Sequence, residues 1–241
     1  MPNLFTPQKQ GPRTVLITGS SSGIGLATAK AFLSAGDRVV VCCRHPQHIQ
    51  EARTTLGPLA NPEHVLFTVG DVRIQQDVVR IVQETVDLFG KIDILVNNAG
   101  IGLFKDLVET SEQEWDEVLS INLKGYFLFM KAVLPLMKKQ GSGVVINVSS
   151  GLGVRGVEKY SAYASSKFGV IGLTQVAAEE TRNEGILVYV ILPGSVATNM
   201  NREMHPEQDP NTMMAPVHIA EKILELAEGR KATGFQMAVY R

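Results

Sequence analysis

Short apolar runs rich in β-branched residues alternate with stretches of helical periodicity along almost the whole chain. Such runs are typical of strands that are buried on both faces of a sheet. The predicted strands lie near Thr14–Thr18, Arg38–Cys43, His64–Val69, Asp93–Val96, Gly143–Val148, Ile186–Leu192 and Phe235–Val239. The predicted helices lie near Ile24–Ala35, Pro46–Leu56, Gln75–Phe89, Glu112–Lys139, Ala162–Asn183 and Ala215–Glu228. This alternation predicts an α/β fold, a doubly wound, seven-stranded, mainly parallel sheet with helices on both faces.

The domain organisation follows from the same pattern. No repeat, low-complexity tract or linker interrupts the alternation, so we expect one domain, residues 13–241, after a loosely held tail, residues 1–12. Thr110 and Ser111 are each followed three residues later by Gln or Glu, so either residue can open the next helix with a capping box. Ligands bind beyond the carboxyl ends of parallel strands, so the residues that follow each strand are the candidates for a site.

Composition narrows the classes of partner. The 241 residues carry a formal net charge of −1, so no basic excess attracts nucleic acid or an anionic membrane. The longest apolar run, Ile186–Leu192, is far too short to span a bilayer, and the first residues lack the apolar core of a secretory signal. Cys42 and Cys43 point to opposite faces of a strand, so we expect neither a disulfide framework nor a metal site. These features predict a cytoplasmic protein that binds no metal, membrane or nucleic acid.

A glycine-rich loop, Thr18–Gly25, joins the first predicted strand to the first helix. Its glycines stand at positions 19, 23 and 25, and they let the backbone turn tightly and approach a pyrophosphate at the positive end of the helix. The spacing G-x-x-x-G-x-G differs from the commonest dinucleotide motif, G-x-G-x-x-G. On its own, the loop could therefore also be an ordinary Gly/Ser turn.

Further motifs follow the predicted strands in a recognisable order. The six motifs are the Thr18–Gly25 loop, Asn97–Gly100, Asn122, Ser150 thirteen residues before Tyr163, Tyr163-Ala164-Ser165-Ser166-Lys167, and Pro193-Gly194. In these motifs, from about residue 13 to about residue 200, the chain resembles the classical short-chain dehydrogenase/reductase family. The resemblance implies a Rossmann-type fold, a nicotinamide cofactor and an oxidoreductase that interconverts a carbonyl and an alcohol. The catalytic residues that it implies are Asn122, Ser150, Tyr163 and Lys167.

The end of the second predicted strand bears on the choice of cofactor. A carboxylate there would bind the ribose 2′-hydroxyl of NAD, whereas an arginine accommodates the 2′-phosphate of NADP. The strand ends in Cys43 and Arg44, without a carboxylate, so we expect NADP(H) to be preferred and NAD(H) to remain possible. Arg44 could alternatively be an ordinary solvated charge. Ser20 could add a hydroxyl to the same phosphate.

The resemblance also implies the rest of the cofactor site. Asp71, after the third strand, would bind the adenine amino group, and Val72 would supply a backbone contact. Asp71 could equally be a turn residue, and the two roles are not separated by the sequence. The other residues that the resemblance assigns to the cofactor are Gly19, Ser22, Gly23, Ile24, Gly25, Asn98, Ala99, Gly100, Tyr163, Lys167, Pro193, Gly194, Val196 and Thr198.

The predicted chemistry centres on Tyr163 and Lys167, which are four residues apart and therefore share a helix face. The lysine ammonium is expected to lower the pKa of the phenol, which is about 10 in a free tyrosine. Tyr163 can then exchange a proton with the substrate oxygen. By resemblance, Lys167 also holds the nicotinamide ribose, Ser150 binds the substrate oxygen, and Asn122 holds a water that relays protons. On its own, a Tyr/Lys pair at this spacing is also common on solvated helices. Tyr160 is a competing candidate for the catalytic tyrosine, but Ala164 stands where its lysine would be.

The sequence is compatible with three functions. The leading one is an NADP(H)-dependent oxidoreductase of a ketone, a 3-oxoacyl compound among the candidates. The others are an NAD-dependent dehydrogenase of an alcohol, sugar or hydroxylated lipid, and a cofactor-sensing protein without turnover. We expect a small-molecule substrate, a small lid and a homodimer or homotetramer formed through the two long helices. The candidate pocket residues are Ile101, Leu103, Gly151, Leu152, Val157 and Met200.

Overall fold

The computed structural model describes residues 11–229 and 231–240. Its seven strands form one sheet in the order β3-β2-β1-β4-β5-β6-β7, and every neighbouring pair is parallel. The strands are β1 (Thr14–Thr18), β2 (Arg38–Cys43), β3 (Val65–Val69), β4 (Ile94–Asn97), β5 (Gly143–Val148), β6 (Ile186–Pro193) and β7 (Gln236–Val239). The predicted doubly wound Rossmann-type fold is confirmed, and the sheet is wholly parallel rather than mainly so. Residues 1–10 of the predicted tail lie outside the described residues.

Eight α-helices accompany these strands in the described part of the chain. They are α1 (Gly23–Ser34), α2 (Pro46–Leu56), α3 (Gln75–Phe89), α4 (Glu112–Leu119), α5 (Gly125–Gln140), α6 (Ser161–Glu180), α7 (Asn199–Met204) and α8 (Pro216–Ala227). The short helix α7 was not predicted. The helix predicted near Glu112–Lys139 is confirmed as one helical stretch, Glu112–Gln140, which a π-helical turn, Ser120–Lys124, divides into α4 and α5. Such turns are frequent at functional sites.

The core consists of two apolar layers, one on each face of the sheet. Val15 and Ile17 of β1 pack with residues of α1, α2 and α8, whereas Leu16, between them, packs on the opposite face with residues of α3 and α5. This division follows from the alternation of side chains along a strand. Phe32 of α1 is fully buried, and burial of such a side chain contributes about 1.5–3 kcal/mol.

One described helical stretch, Glu112–Gln140, is long and apolar enough to cross a membrane by length and composition. Half of its most apolar window is buried inside the fold, as in helices that build a protein core. The stretch is therefore weak evidence for a membrane span.

The strand order places a crevice at the centre of the sheet. β1 pairs with β2 on one side and with β4 on the other, so the chain changes direction across the sheet at β1. In open parallel sheets, ligands bind at such a switch point, beyond the carboxyl ends of the strands. The loops after β1, β4 and β5 meet at this edge.

Candidate active site

The glycine-rich loop between β1 and α1 adopts a backbone that larger residues would disturb. Gly19 and Gly23 have φ angles of +63° and +52°, in the left-handed region that favours glycine. A Cβ atom on Gly25 would lie 2.6 Å from Asn98 Nδ2 and 2.8 Å from Ser20 Cα. The loop is therefore packed tightly against the first turn of α1, where unpaired N–H groups and the helix dipole favour an anionic ligand.

Thr18 ties this loop to the segment that follows β4. Its Oγ1 accepts hydrogen bonds from the backbone N–H groups of Asn98 at 2.9 Å and Ala99 at 3.0 Å. In return, Asn98 Nδ2 donates to the carbonyl oxygens of Thr18 at 3.0 Å and Gly19 at 3.1 Å. The two predicted cofactor segments are thus cross-linked on either side of the switch point.

Ser20 faces the protein interior instead of the crevice. Its Oγ donates to the carbonyl oxygen of Ile17 at 2.7 Å and accepts from the N–H of Cys42 at 3.0 Å, and the residue is fully buried. The prediction that its hydroxyl contacts a phosphate is wrong, because this hydroxyl joins β1 to β2. Ser21 and Ser22 line the crevice in its place.

The far end of the crevice, beyond β2 and β3, carries several charged groups. Arg44 is exposed, and its Nε donates to His45 Nε2 at 2.9 Å. Asp71 forms an ion pair with Arg73 at 2.6 Å. Burial raises the pKa of the Asp71 carboxyl, but the hydrogen bonds from Arg73, with the charges of Arg73 and Arg44, outweigh it and lower the pKa overall. Of the two carboxylates at this end, Asp71 therefore already has a cationic partner, while Glu51 of α2 lies at the rim.

Helix α6 brings Tyr163 and Lys167 to the near end. Lys167 is almost completely buried, and its Nζ donates to the carbonyl oxygen of Val148, the last residue of β5, at 2.9 Å. The same Nζ lies 5.6 Å from the centre of the Tyr163 ring. Burial lowers the pKa of the Lys167 ammonium to about 7. At neutral pH this side chain is therefore close to its titration midpoint.

Ser150 and Tyr163 meet at the same place. Ser150 caps a short turn after β5, and its Oγ accepts from the N–H of Leu152 at 3.2 Å. Burial raises the pKa of the Tyr163 hydroxyl to about 12, although a hydrogen bond with Ser150 acts in the opposite direction. The expected lowering by Lys167 is not found, because the lysine Nζ is directed at Val148 and burial dominates.

Asn122 lies in the π-helical turn behind the crevice. Its Oδ1 accepts from the N–H of Ile101 at 2.8 Å, and its Nδ2 donates to the carbonyl oxygen of Ile101 at 2.9 Å and to Ser166 Oγ at 3.1 Å. The side chain is fully buried. It therefore braces the segment after β4 against α6, and its side chain is not placed to hold the expected relay water in the crevice.

The crevice has a volume of about 530 Å³ and extends from the end of β2 to α6. Gly25, Asn122 and Ser20 lie outside its lining, whereas most of the other predicted residues line it together. Those that line it are Gly19, Ser22, Gly23, Ile24, Arg44, Asp71, Val72, Asn98, Ala99, Gly100, Ser150, Tyr163, Lys167, Pro193, Gly194, Val196 and Thr198.

Several lining residues were not predicted. They are Ser21, Cys43, His45, His48, Glu51, Gly70, Gly102, Ile121, Val148, Ser149, Asn199, Asn201, Glu203 and Met204. Among residues 11–229 and 231–240, no cluster of His, Cys, Asp or Glu that could hold a metal ion is found.

The predicted substrate-pocket residues divide into two groups. Ile101 and Met200 line the crevice, whereas four others do not, namely Leu103, Gly151, Leu152 and Val157. Gly151 is covered by Tyr240, whose Cε1 would lie 3.1 Å from a Cβ on that glycine. The contact places the last described residue over the turn that follows Ser150.

Comparison with known proteins agrees with this geometry. The sequence profile of the family described as short chain dehydrogenase matches residues 13–209. Levodione reductase of Leifsonia aquatica is 36% identical over 220 residues, which are 91% of this chain and 81% of that protein. The 3-oxoacyl-[acyl-carrier-protein] reductase FabG of Thermotoga maritima is 35% identical over 224 residues, or 89% of this chain and 90% of FabG.

Solved structures are similarly close. The crystal structure of levodione reductase superposes with a TM-score of 0.89 at 32% identity, covering 95% of this chain and 96% of that one. A structure of ElxO with NADP bound gives a TM-score of 0.88 at 29% identity, covering 95% and 97%. The chain therefore belongs to the short-chain dehydrogenase family and is an oxidoreductase that acts on CH–OH groups.

Proposed function

We propose that this protein is an NADP(H)-dependent oxidoreductase that interconverts a ketone and a secondary alcohol. A 3-oxoacyl compound is among the candidate ketones. The observation that carries the proposal is the crevice itself. It has Tyr163, Ser150 and Lys167 at one end and Arg44 at the other, with the glycine-rich loop between them. A dinucleotide has the matching parts, since its nicotinamide and its adenosine phosphate lie on opposite sides of a pyrophosphate.

The residues present fit such a cofactor. The loop can cradle a pyrophosphate because Gly19 and Gly23 adopt left-handed φ angles and the tight packing at Gly25 holds the backbone against the start of α1, where N–H groups face an anion. Arg44 has a guanidinium at the position suited to a 2′-phosphate, and buried Cys43 stands where a carboxylate would bind a free 2′-hydroxyl. NADP is also the cofactor bound in the similar structure of ElxO. When bound, the nicotinamide supplies or accepts the hydride.

The side chains of this chain would manage the proton. In reduction, the Tyr163 hydroxyl donates its proton to the carbonyl oxygen while the carbon receives hydride, which yields the alcohol. With its pKa raised to about 12 by burial, the phenol is protonated at neutral pH and can serve as the proton donor. Ser150 donates a hydrogen bond to the same oxygen as negative charge develops there. Lys167, whose Nζ lies 5.6 Å from the centre of the Tyr163 ring, would hold the cofactor ribose.

The proposal extends to the organisation of the protein. We propose that residues 13–241 act as one domain in the cytoplasm and assemble as a homodimer or homotetramer. The helices expected to pair carry large exposed apolar side chains, Phe127 on α5 and Phe168 and Val176 on α6. Exposed apolar groups of this kind are typical of surfaces that are covered by another subunit.

Replacement of Tyr163 by Phe tests the mechanism. Removal of the hydroxyl should reduce NADPH oxidation with a panel of ketones and 3-oxoacyl thioesters by about 100- to 10,000-fold, the usual contribution of a general acid. NADPH should still raise the melting temperature of the variant, because a ligand that binds the folded state stabilises it. Turnover close to that of the wild type would refute the assigned role. Stronger protection of the wild type by NADH than by NADPH would instead favour an NAD-dependent dehydrogenase.

A further inference from the structure

Helix α7 lies across the crevice, between the cofactor loop and the segment that follows β4. At its start, the Thr198 methyl group would lie 3.2 Å from a Cβ on Gly23 in the cofactor loop. At its end, Met204 packs against Gly102 so closely that a Cβ there would lie 2.7 Å from the Met204 Cε. Met200 and Met204 both line the crevice. The position of α7 therefore sets the space above the catalytic end.

The carboxyl end of α7 is held by a hydrogen bond between the Tyr160 hydroxyl and His205 Nε2. His205 Nδ1 lies 3.5 Å from a carboxylate oxygen of Glu207, which favours a proton on Nδ1 and leaves Nε2 to accept. Burial, and then the charge of Glu207, raise the pKa of the Tyr160 hydroxyl, so it remains a donor. The Phe104 ring lies 4.6 Å from His205 and 5.2 Å from Tyr160.

Tyr160 is itself held in place next to the catalytic tyrosine. Its ring centre lies 6.0 Å from that of Tyr163. Lys159 has a φ of +66°, a left-handed conformation that is uncommon outside glycine and is retained where the surroundings enforce it. The N–H of Lys105 donates to the carbonyl oxygen of Lys159 at 2.8 Å and fixes this turn. The backbone therefore directs Tyr160 towards α7.

At the substrate end of the crevice, the described lining residues offer an anionic substrate no cation besides Lys167. Its wall includes Ile101, Gly102, Met200 and Met204, and Glu203 is the ionisable residue that α7 contributes. The Lys167 ammonium is buried and bound to Val148. A carboxylate next to the reacting carbonyl would lose its hydration without a partner, which is unfavourable, and Glu203 adds a like charge to the lining of the same crevice.

We propose that Tyr160 and His205 are positioning residues that hold Met204 over the catalytic end, and that the resulting pocket selects ketones with no charge near the carbonyl. Within the proposed reduction, the substrate is then a neutral, mainly apolar ketone and not a keto acid. Phe104 supports the pair from outside. The proposal rests on the proposed function, so its tests include one that needs no turnover.

The charge selection can be measured with a matched pair of probes, methyl 4-oxocyclohexanecarboxylate and its free acid. We expect kcat/KM with NADPH to be at least about tenfold higher for the ester, because the acid buries an unpaired charge. Glu203→Gln should raise the ratio of kcat/KM for the acid to kcat/KM for the ester. Equal values for ester and acid in the wild type would overturn the selection.

The positioning role can be measured with Tyr160→Phe and His205→Gln. Tyr160→Phe removes one hydrogen bond, and we expect KM for the ester to rise about three- to tenfold with kcat and NADPH affinity nearly unchanged. His205→Gln keeps an acceptor for the Tyr160 hydroxyl and should restore most of the affinity that His205→Ala loses. A fall in kcat without a change in KM would overturn the positioning role, as would equal KM values for the Gln and Ala variants.

Binding to the Tyr163→Phe variant saturated with NADPH separates the two proposals. The ester should raise the melting temperature of this complex more than the acid does. If the wild type reduces neither probe while this difference persists, the proposed reaction fails and the pocket stands. If the ester gives no more protection than the acid, the pocket proposal is overturned, whatever the turnover.

Discussion

Arg44 is the residue on which the proposed choice of NADP(H) depends. Its guanidinium has five N–H donors, and the Nε is bonded to His45. The carboxylate of Asp71 is paired with Arg73 and so leaves Arg44 available for another anion. Arg44→Ala removes the cation and leaves the glycine-rich loop intact, so the change should act on the 2′-phosphate alone.

The size of the effect follows from the exposure of Arg44. A hydrogen bond to a charged group contributes about 1.5–3 kcal/mol, whereas an exposed ion pair contributes about 0.2–1 kcal/mol because water screens it. Arg44 is exposed, so we expect an intermediate loss of about 1–2 kcal/mol in NADPH binding, or about 5- to 30-fold in Kd. NADH has no 2′-phosphate, and its Kd should change by less than about twofold.

Isothermal titration calorimetry of Arg44→Ala and of a control variant, with NADPH and with NADH, measures the ratio of the two affinities. Arg53→Ala is the matched control, because it removes the same charge from α2 while its guanidinium packs over Phe67 at 4.2 Å, outside the crevice lining. The control should keep the wild-type ratio of NADPH to NADH affinity. A ratio that is unchanged in Arg44→Ala, or that falls equally in Arg53→Ala, would refute the assignment of Arg44 to the phosphate.

Two further predictions concern stability. Gly25→Ala should destabilise the protein by about 1–3 kcal/mol through overpacking, whereas Gly156→Ala, in a loop with nothing within 4 Å of its Cβ, should change the stability by less than about 0.5 kcal/mol. Urea unfolding that shows no greater loss of stability in Gly25→Ala than in Gly156→Ala would contradict the packing argument. Burial lowers the pKa of Lys167 from 10.5 to about 7. Between these two pH values the unfolded state therefore binds more protons than the folded state. The free energy of unfolding should then rise with pH by up to about 1.4 kcal/mol per pH unit. Urea titrations from pH 7 to pH 9 without cofactor should show this rise in the wild type and not in Lys167→Met, and parallel curves would exclude it.

The parts of the fold that the sequence predicts well depend on neighbours along the chain. Strand positions follow from apolar runs, and the start of α4 follows from a local capping box. The structure selects Ser111 over Thr110 for that cap, because the Ser111 hydroxyl accepts from the N–H of Glu114 while the Glu114 carboxylate binds back to Ser111. Local spacing also placed Tyr163 and Lys167 on one helix face.

The features that were missed depend on contacts between distant residues. The π-helical turn at Asn122 is held by Ile101 and by Ser166, which is 44 residues away in sequence. The bond between Tyr160 and His205 joins residues 45 apart. Neither contact can be predicted from a periodic pattern, because local propensity does not encode which loops meet. The inward orientation of the Ser20 hydroxyl likewise depends on Cys42 of the neighbouring strand.

The cross-link at Thr18 has a thermodynamic consequence for ligand binding. Its hydroxyl already fixes the backbone of Asn98 and Ala99 in the folded protein. Ordering a residue costs about 1–2 kcal/mol of conformational entropy, and here that cost falls on folding and not on association. A ligand that enters between the two loops therefore meets a preorganised wall, and more of its contact energy is retained as affinity.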